Sequence, residues 1–536
     1  MIATVLAAAL LLQSPQATAQ SVEVAFDPRV ELLCILARLA GNPEFQRAPE
    51  NYVGAVDAHF SKFASHPAVG AMIELRKQYG ISYNAVPAIA VYLDSLEKLE
   101  PIAPLDPLPE GLDSRWEKPN KAEFFEKLRA FAKESKAAEF FASHKSTWDT
   151  VEAVVRAAAD KEAPIPWFDG FFGARPGARF RLVPSILSGS HNFSASAKPT
   201  SGPEILYQVM GFGSLQRGGV LIGSGFGSLL VHEMAHAYCN PLIDRFYSDL
   251  RDPGHDLFEA KQQEMSRQAY PSGRIVLYES FVRACTVLYA LERHGESSAA
   301  AVLGDQEQQG FVWTLDLVRA LQAIRKNPPK SGRMADAMLD FGTAIHEAAK
   351  KDWGAFRSPF RGPFNSIFTS GFPGAEILLA GPSDSPKLSA YLDAIVPAIA
   401  KKFKIRREEL PKLSTEAMGK HPVLLYGSPE SNPHLKKAAD QYGWVIEKSG
   451  ITLGERRFDG ENLVLIACRP SPGNPTVAVG IYASADPENL VGINGLTHGV
   501  DDWLVGRRIG PNRFEPVARG SFPKRLDGSW DKLDGK

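Results

Sequence analysis

The chain is poor in cysteine, with only Cys34, Cys239, Cys285 and Cys468 among 536 residues. These are too few for a disulfide scaffold and too scattered for a zinc finger or a c-type haem attachment, so stability has to come from packing. An excess of one charge is also missing. Lys+Arg 60 against Asp+Glu 61 leaves a formal net charge of -1, which provides no field to gather nucleic acid or an anionic membrane surface. Beyond the first twenty residues there is no run of roughly 18 uninterrupted apolar residues, which argues against stable membrane insertion of the mature chain. No period of 20 to 50 residues repeats, which excludes a solenoid or propeller. What is present is a globular composition, 44% hydrophobic and 23% charged, long enough for several domains.

The N-terminal stretch MIATVLAAALLLQSPQATAQ carries an apolar run from Ile2 to Leu12 and then Ala17-Thr18-Ala19. That order fits a secretory signal peptide over residues 1–19, although a basic n-region is absent, and points to a secreted or periplasmic product. From Val22 onward apolar residues recur at helical spacing in VELLCILARLAG, HPAVGAMIELRKQYG, AVPAIAVYLDSLEKL, KAEFFEKLRAFAKESKAAEFFASHKS and WDTVEAVVRAAADK. Between about Ile165 and Ile222 short β-branched and aromatic runs broken by Gly, Pro and Ser predict a small sheet. Helices return in RIVLYESFVRACTVLYALERHG, FVWTLDLVRALQAIRKN and ADAMLDFGTAIHEAAKKDW. After a boundary near residue 370, AEILLAG, VLLYG, WVIEK, LVLIAC and VAVGIYA alternate with helical segments, as in a parallel or mixed α/β layer. The expected fold class is therefore α+β: a helix-rich region with a small sheet over 20–370, followed by an α/β domain over 371–536.

The chemistry concentrates in GSGFGSLLVHEMAHAYCNPL. Ser224 or Ser228 offers an N-cap, an apolar helical run follows, and Pro241 is a natural stop. His232 and His236 stand four residues apart, so both imidazoles leave one face of the helix and can meet at one ion. Zinc accepts such a pair when a third protein ligand joins it, and Glu233, next to the first histidine, has the position of a general base. Downstream carboxylates and imidazoles that qualify as the third ligand are Asp244, His255, Glu259, Glu264 and Glu279. Glu279 is the choice, because it sits in the apolar run VLYESFVRAC, where a lone carboxylate needs a compensating partner. Arg283, one turn on, is either its ion-pair partner or a group that orients it toward a metal. Tyr278, Tyr289, His255 and Arg283 remain open as oxyanion donors.

Other motifs carry less. GFGSLQRGGVLIGSGFGS lacks both common phosphate-loop patterns and reads as a hairpin with a helix entry. YGSPESNPHL places Gly427, Ser428 and Asn432 between a strand and a helix, where a ligand loop or a simple helix cap is expected. His346-Glu347 has no second histidine four residues on and reads as a helix surface. The strand near His191 to Ser196 is suited to edge pairing with an extended peptide or to an ordinary structural role.

The early VEVAFDPRVELLCILARLAGN, HPAV at 66–69, HEMAHAYCNP and ESFVRA at 279–284 together resemble the bacterial domain-of-unknown-function family 4932 over roughly residues 22 to 350. That family is regarded as a gluzincin-like, HExxH zinc metallopeptidase group. The resemblance implies Zn(2+) held by His232, His236 and Glu279, Glu233 as base, a zincin-like catalytic region, and a peptide or protein substrate. The 42 residues between His236 and Glu279 exceed the interval of thermolysin-like enzymes, to which Glu259 lies closer. The C-terminal part is similar to α/β modules attached to some exported bacterial hydrolases, which implies an accessory role. The expectation is an exported zinc metallohydrolase, a peptidase by preference. Its rivals are a zinc-holding but inactive cell-envelope binding protein and a structural protein with core histidines.

Overall fold

The computed structural model describes residues 22–531, except 47–49, 110, 163, 176, 190, 213–214, 217–218, 221, 223–224, 269, 355, 357–375, 402, 473 and 497–500. The expected signal peptide, the boundary near residue 370 and the candidate cap Ser224 lie outside the described residues. The architecture is α+β, helix-rich at first and sheet-rich toward the C terminus. Two compact units are formed, Met1–Tyr247 with Ile324–Leu339, and Ser248–Ala323 with Asp340–Lys536. Among the described residues no helix is long and apolar enough to cross a membrane.

In the first unit β1 (Glu23–Val24) leads into α1 (Pro28–Leu39), which starts with an Asp27 cap and Pro28 in the first turn. Helices α2 (Glu50–Phe60) and α3 (Pro67–Tyr79) follow. In the HPAV motif the His66 side chain accepts from the Ala68 amide and Pro67 opens the helix, while Gly80, at φ 69°, closes it in the left-handed region. Then come α4 (Ala85–Ala88), α5 (Lys121–Glu134), α6 (Ala137–Ser143), α7 (Lys145–Glu162) and α8 (Ile165–Phe172).

Two helical expectations need correction here. AVPAIAVYLDSLEKL yields only α4 and one 3-10 turn, Ala90–Tyr92. The buried Arg29 guanidinium takes the carbonyls of Leu93 and Asp94, and the Asp94 carboxylate accepts from the Glu100 amide, so tertiary hydrogen bonds replace the helical ladder. The run beginning at Lys121 divides into α5 and α6 at Lys136, whose φ of 54° breaks the helix.

The expected small sheet is present as β2 (Ala178–Ser185), β3 (Asn192–Ala197) and β4 (Glu204–Gly211), joined by β1 from outside the expected stretch, whose first residues form α8 instead, in the order β1-β2-β4-β3. β2 and β4 are parallel, β3 and β4 antiparallel with Ser194 opposite Gln208, and β3 lies at the edge. The glycine-rich stretch forms the hairpin β5 (Leu215–Gln216) and β6 (Gly219–Val220) before α9 (Phe226–Arg245). α9 packs on β3 and β4, and α7 packs on β1, β2 and α9. On α1, Glu31 has no exposed surface; its carboxylate accepts from the Ser185 hydroxyl at 2.8 Å and the Leu187 amide at 3.2 Å. Burial pushes this carboxyl up to about 7 against the pull of those donors.

Neither expected end of α9 holds. The residue before the helix is Gly225, with Ser228 inside the first turn, and Pro241 lies within the helix, which continues to Arg245. A proline cannot donate to the carbonyl four residues back. The Arg175 guanidinium donates to that carbonyl, on Ala237, at 2.7 Å, and so removes the reason to stop.

The second unit contains α10 from Ser248 on (Tyr247–Ala260), α11 (Gln262–Arg267), α12 (Gly273–His294), α13 (Glu296–Gln308), most of α14 (Thr314–Lys326) and most of α15 (Met338–Ala349). Its sheet is mixed, with seven strands in the order β16-β15-β13-β14-β9-β7-β8. β7 (Ile377–Ala380), β8 (Ile405–Glu408), β9 (Val423–Gly427) and β14 (Asn474–Ala483) run parallel. β13 (Leu463–Ser471), β15 (Trp503–Gly510) and β16 (Arg513–Gly520) complete it antiparallel. Both faces are covered: Leu378, Leu425, Leu465 and Val505 enter one core, and Leu379, Leu424, Ile466 and Leu504 the other, as a period of two requires. WVIEK leaves this layer for a three-stranded meander, β10 (Trp444–Glu447), β11 (Gly450–Leu453) and β12 (Arg456–Asp459). All four cysteines are buried.

Two outcomes follow from these contacts. Arg175→Met strands the Ala237 carbonyl beside Pro241 and lowers the unfolding free energy by about 1–3 kcal/mol in urea titration. Glu31 titrates with a native pKa above its unfolded value, so its stabilisation is complete below about pH 4.5 and disappears as pH rises through about 7. Relative to Glu31→Gln, the wild type loses about 3 kcal/mol of stability between those limits; parallel pH profiles would refute the assignment.

Candidate metal centre

α9 is lined with Phe226, Leu230, Val231, Met234, Ala235, Tyr238 and Cys239 on its buried side. Tyr238 stacks on Phe168 at 4.8 Å with nearly parallel rings and lies under the Arg175 guanidinium. That anchorage fixes the rotation of the helix. His232 and His236 are half-buried, their ring centroids 5.1 Å apart. His236 Nδ1 lies 3.3 Å from Asn240 Oδ1. Donation from Nδ1 to Asn240 fixes the tautomer that leaves Nε2 with its lone pair.

Glu233 is 7% exposed. The Ser194 hydroxyl of edge strand β3 contacts both its backbone carbonyl, at 2.6 Å, and its carboxylate Oε2, at 3.1 Å. Strand β3 thus restrains the carboxylate through the Ser194 side chain. Neither Ser194 nor Asn240 was singled out from the sequence. The Asn240 role was readable as an acceptor four residues after a histidine, whereas the Ser194 contact depends on strand order.

On α12, Glu279 and Arg283 are 7% and 4% exposed. Arg283 Nη2 lies 3.1 Å from Glu279 Oε2, one turn apart as expected. The guanidinium also donates to Gln306, to Gln309 at 2.9 Å and to the Tyr270 hydroxyl at 3.2 Å, and it lies 4.1 Å over the Phe311 ring. Arg283 is therefore held by five groups. Burial, together with the Glu279 charge, pushes the Tyr270 phenol up to about 12, so it stays protonated and able to donate. Tyr270 had not been anticipated, since no spacing connects it to Glu279.

The ligand atoms of His232, His236 and Glu279 all lie within 4.8 Å of one another, and the group can hold a metal ion. Two imidazoles and one carboxylate are a donor set for a borderline divalent cation with room for a further ligand. Among the described residues no other candidate joins this group. His255 and Glu259 are exposed, and Glu264 lies 3.9 Å from Lys261. Of the open oxyanion donors, Tyr278 accepts from Arg274 at 2.7 Å and Tyr289 is 2% exposed.

A family model described as Domain of unknown function (DUF4932) matches residues 22–335, more than half of the chain. No curated protein matches the chain, and no solved structure does.

The buttress around Glu279 has a measurable consequence. Arg283→Met leaves the carboxylate buried without its guanidinium, and metal affinity falls about 10–100-fold in competition with a chelator. An unchanged affinity would mean that Arg283 serves the packing of α12 alone.

Proposed function

We propose that this chain, which belongs to the DUF4932 family, is an exported zinc-dependent peptidase. The observation that carries the proposal is the convergence of two histidines and one glutamate on a common point, with a second, buried carboxylate next in sequence to the first histidine. His232, His236 and Glu279 would hold the zinc. In such a set zinc supplies Lewis acidity, which polarises a scissile carbonyl and acidifies water toward neutral pH. Glu233 takes the proton of the attacking water and returns it to the leaving amine. Ser194 holds the Glu233 side chain in place through that exchange. Edge strand β3 supports a peptide as substrate, because its outer backbone groups suit pairing with an extended chain beside Glu233. Arg283 and Tyr270 keep Glu279 oriented.

Metal analysis of the full chain tests the first half: the wild type retains zinc through dialysis, and His232→Ala does not. Glu233→Gln tests the second. It keeps the metal while hydrolysis of a mixed peptide substrate falls about 10²–10⁴-fold. Equal metal content in wild type and His232→Ala would remove the proposal. Full metal with no hydrolysis by the wild type would leave a zinc-holding binding protein instead.

A further inference from the structure

Tyr83 has no part in the chemistry above, yet its conformation is costly. It is 51% exposed, and its φ of 48° lies in the left-handed region that side chains larger than asparagine seldom adopt. Its amide donates to Glu44 Oε1 at 3.1 Å, and Arg76 grips the same carboxylate oxygen at 2.6 Å. The strained backbone is thus tied to an ion pair of a buried Glu44 and a half-buried Arg76, which also neutralises the nearby charge. The Tyr83 ring stands edge-on to His191, with centroids 5.3 Å apart and planes at 84°.

His191 immediately precedes β3, and Ser194, three residues later, holds Glu233. At roughly 3.3 Å per residue, the aromatic pair stands about 10 Å along the strand from that carboxylate. The far half of the strand is closed, since a Cβ on Gly111 would come within 2.7 Å of the Ser196 carbonyl oxygen. The stretch of β3 left for pairing is the His191 end. Strained residues of this kind cluster where ligands are gripped, because only an over-determined surrounding keeps them in place.

We infer that Tyr83 and His191 form a subsite for an aromatic or large apolar side chain, two or three positions from the cleaved bond of an extended peptide lying along β3. This rests on the peptidase reading for its substrate. An extended peptide has the same rise as the strand beside it, so a side chain two or three residues from the Glu233 level reaches the pair. An offset or edge-to-face ring contact is the interaction these two rings offer, and the Glu44 charge is already taken up by Arg76.

The test uses the full chain carrying Glu233→Gln and a fluorescent peptide ladder in which one Phe steps through an otherwise small, polar host. Anisotropy is expected to show about tenfold tighter binding when Phe occupies one position of the ladder. Adding Tyr83→Gly removes that preference without lowering the unfolding midpoint, because glycine adopts the observed φ freely. Tyr83→Phe retains it. A preference that survives Tyr83→Gly overturns the subsite, as does the absence of any preference in the Glu233→Gln chain. If the preference exists and depends on Tyr83 while the wild type cleaves nothing, the subsite stands and hydrolysis fails. Cleavage by the wild type without a Tyr83-dependent preference means the opposite: hydrolysis stands and the subsite fails.

Discussion

A helix that carries two imidazoles and a carboxylate within five residues, and whose apolar side is packed into a core, must find polar partners for all three. α9 meets that demand from several directions. Asn240 orients His236 from one turn away, Ser194 reaches Glu233 from the sheet edge, and Glu279 completes the group with both histidines. Each partner does more than satisfy a buried polar group. Asn240 also removes rotational freedom from a side chain whose direction decides whether the three ligand atoms meet, and Ser194 does the same for the neighbouring carboxylate. The rigidity of α9 is therefore the constraint on which the site depends, and the stacked Phe168 and Tyr238 rings with Arg175 across them provide it.

Arg175 shows how that constraint overrides local sequence. Pro241 should end the helix, and reading the chain by residue type alone places the end there. One guanidinium, donating to the Ala237 carbonyl, lets α9 continue to Arg245. The same logic acts in reverse after α4, where Arg29 takes carbonyls that a longer helix would have used and the chain turns away. A long-range donor decides whether a helix continues, and its identity is invisible to any pattern of period 3.6.

What was legible in the residues was local. The four-residue spacing of His232 and His236, the isolated Glu279 and its neighbour Arg283 one turn on are all properties of single helices, and they persist in the folded chain. The α+β class and the strands of the last third were legible for a similar reason, since buried parallel strands read as short apolar runs. What escaped came from topology. Ser194 matters because β3 lies outermost in its sheet, and Tyr270 because the turn before α12 brings it to Arg283. The meander holding WVIEK looked like part of the main layer because alternation of apolar residues does not name a strand's neighbours.

The loop after β9 was the main alternative place for a ligand, and its hydrogen bonds argue against that use. Asn432 accepts from the amides of His434 and Leu435 and donates to the Tyr426 carbonyl, so the first turn of the helix Pro433–Tyr442 is capped from within. Ser428 and Ser431 bond to each other. A helix start capped in this way has lost the free amides that make such positions attractive to an anion. By contrast, the Glu233 carboxylate is held by Ser194 of β3, whose outer side no strand pairs with among the described residues. The polar groups of the C-terminal loop are spent on holding the fold, whereas the ligand atoms of His232, His236 and Glu279 lie within 4.8 Å of one another in a group that could hold a metal ion.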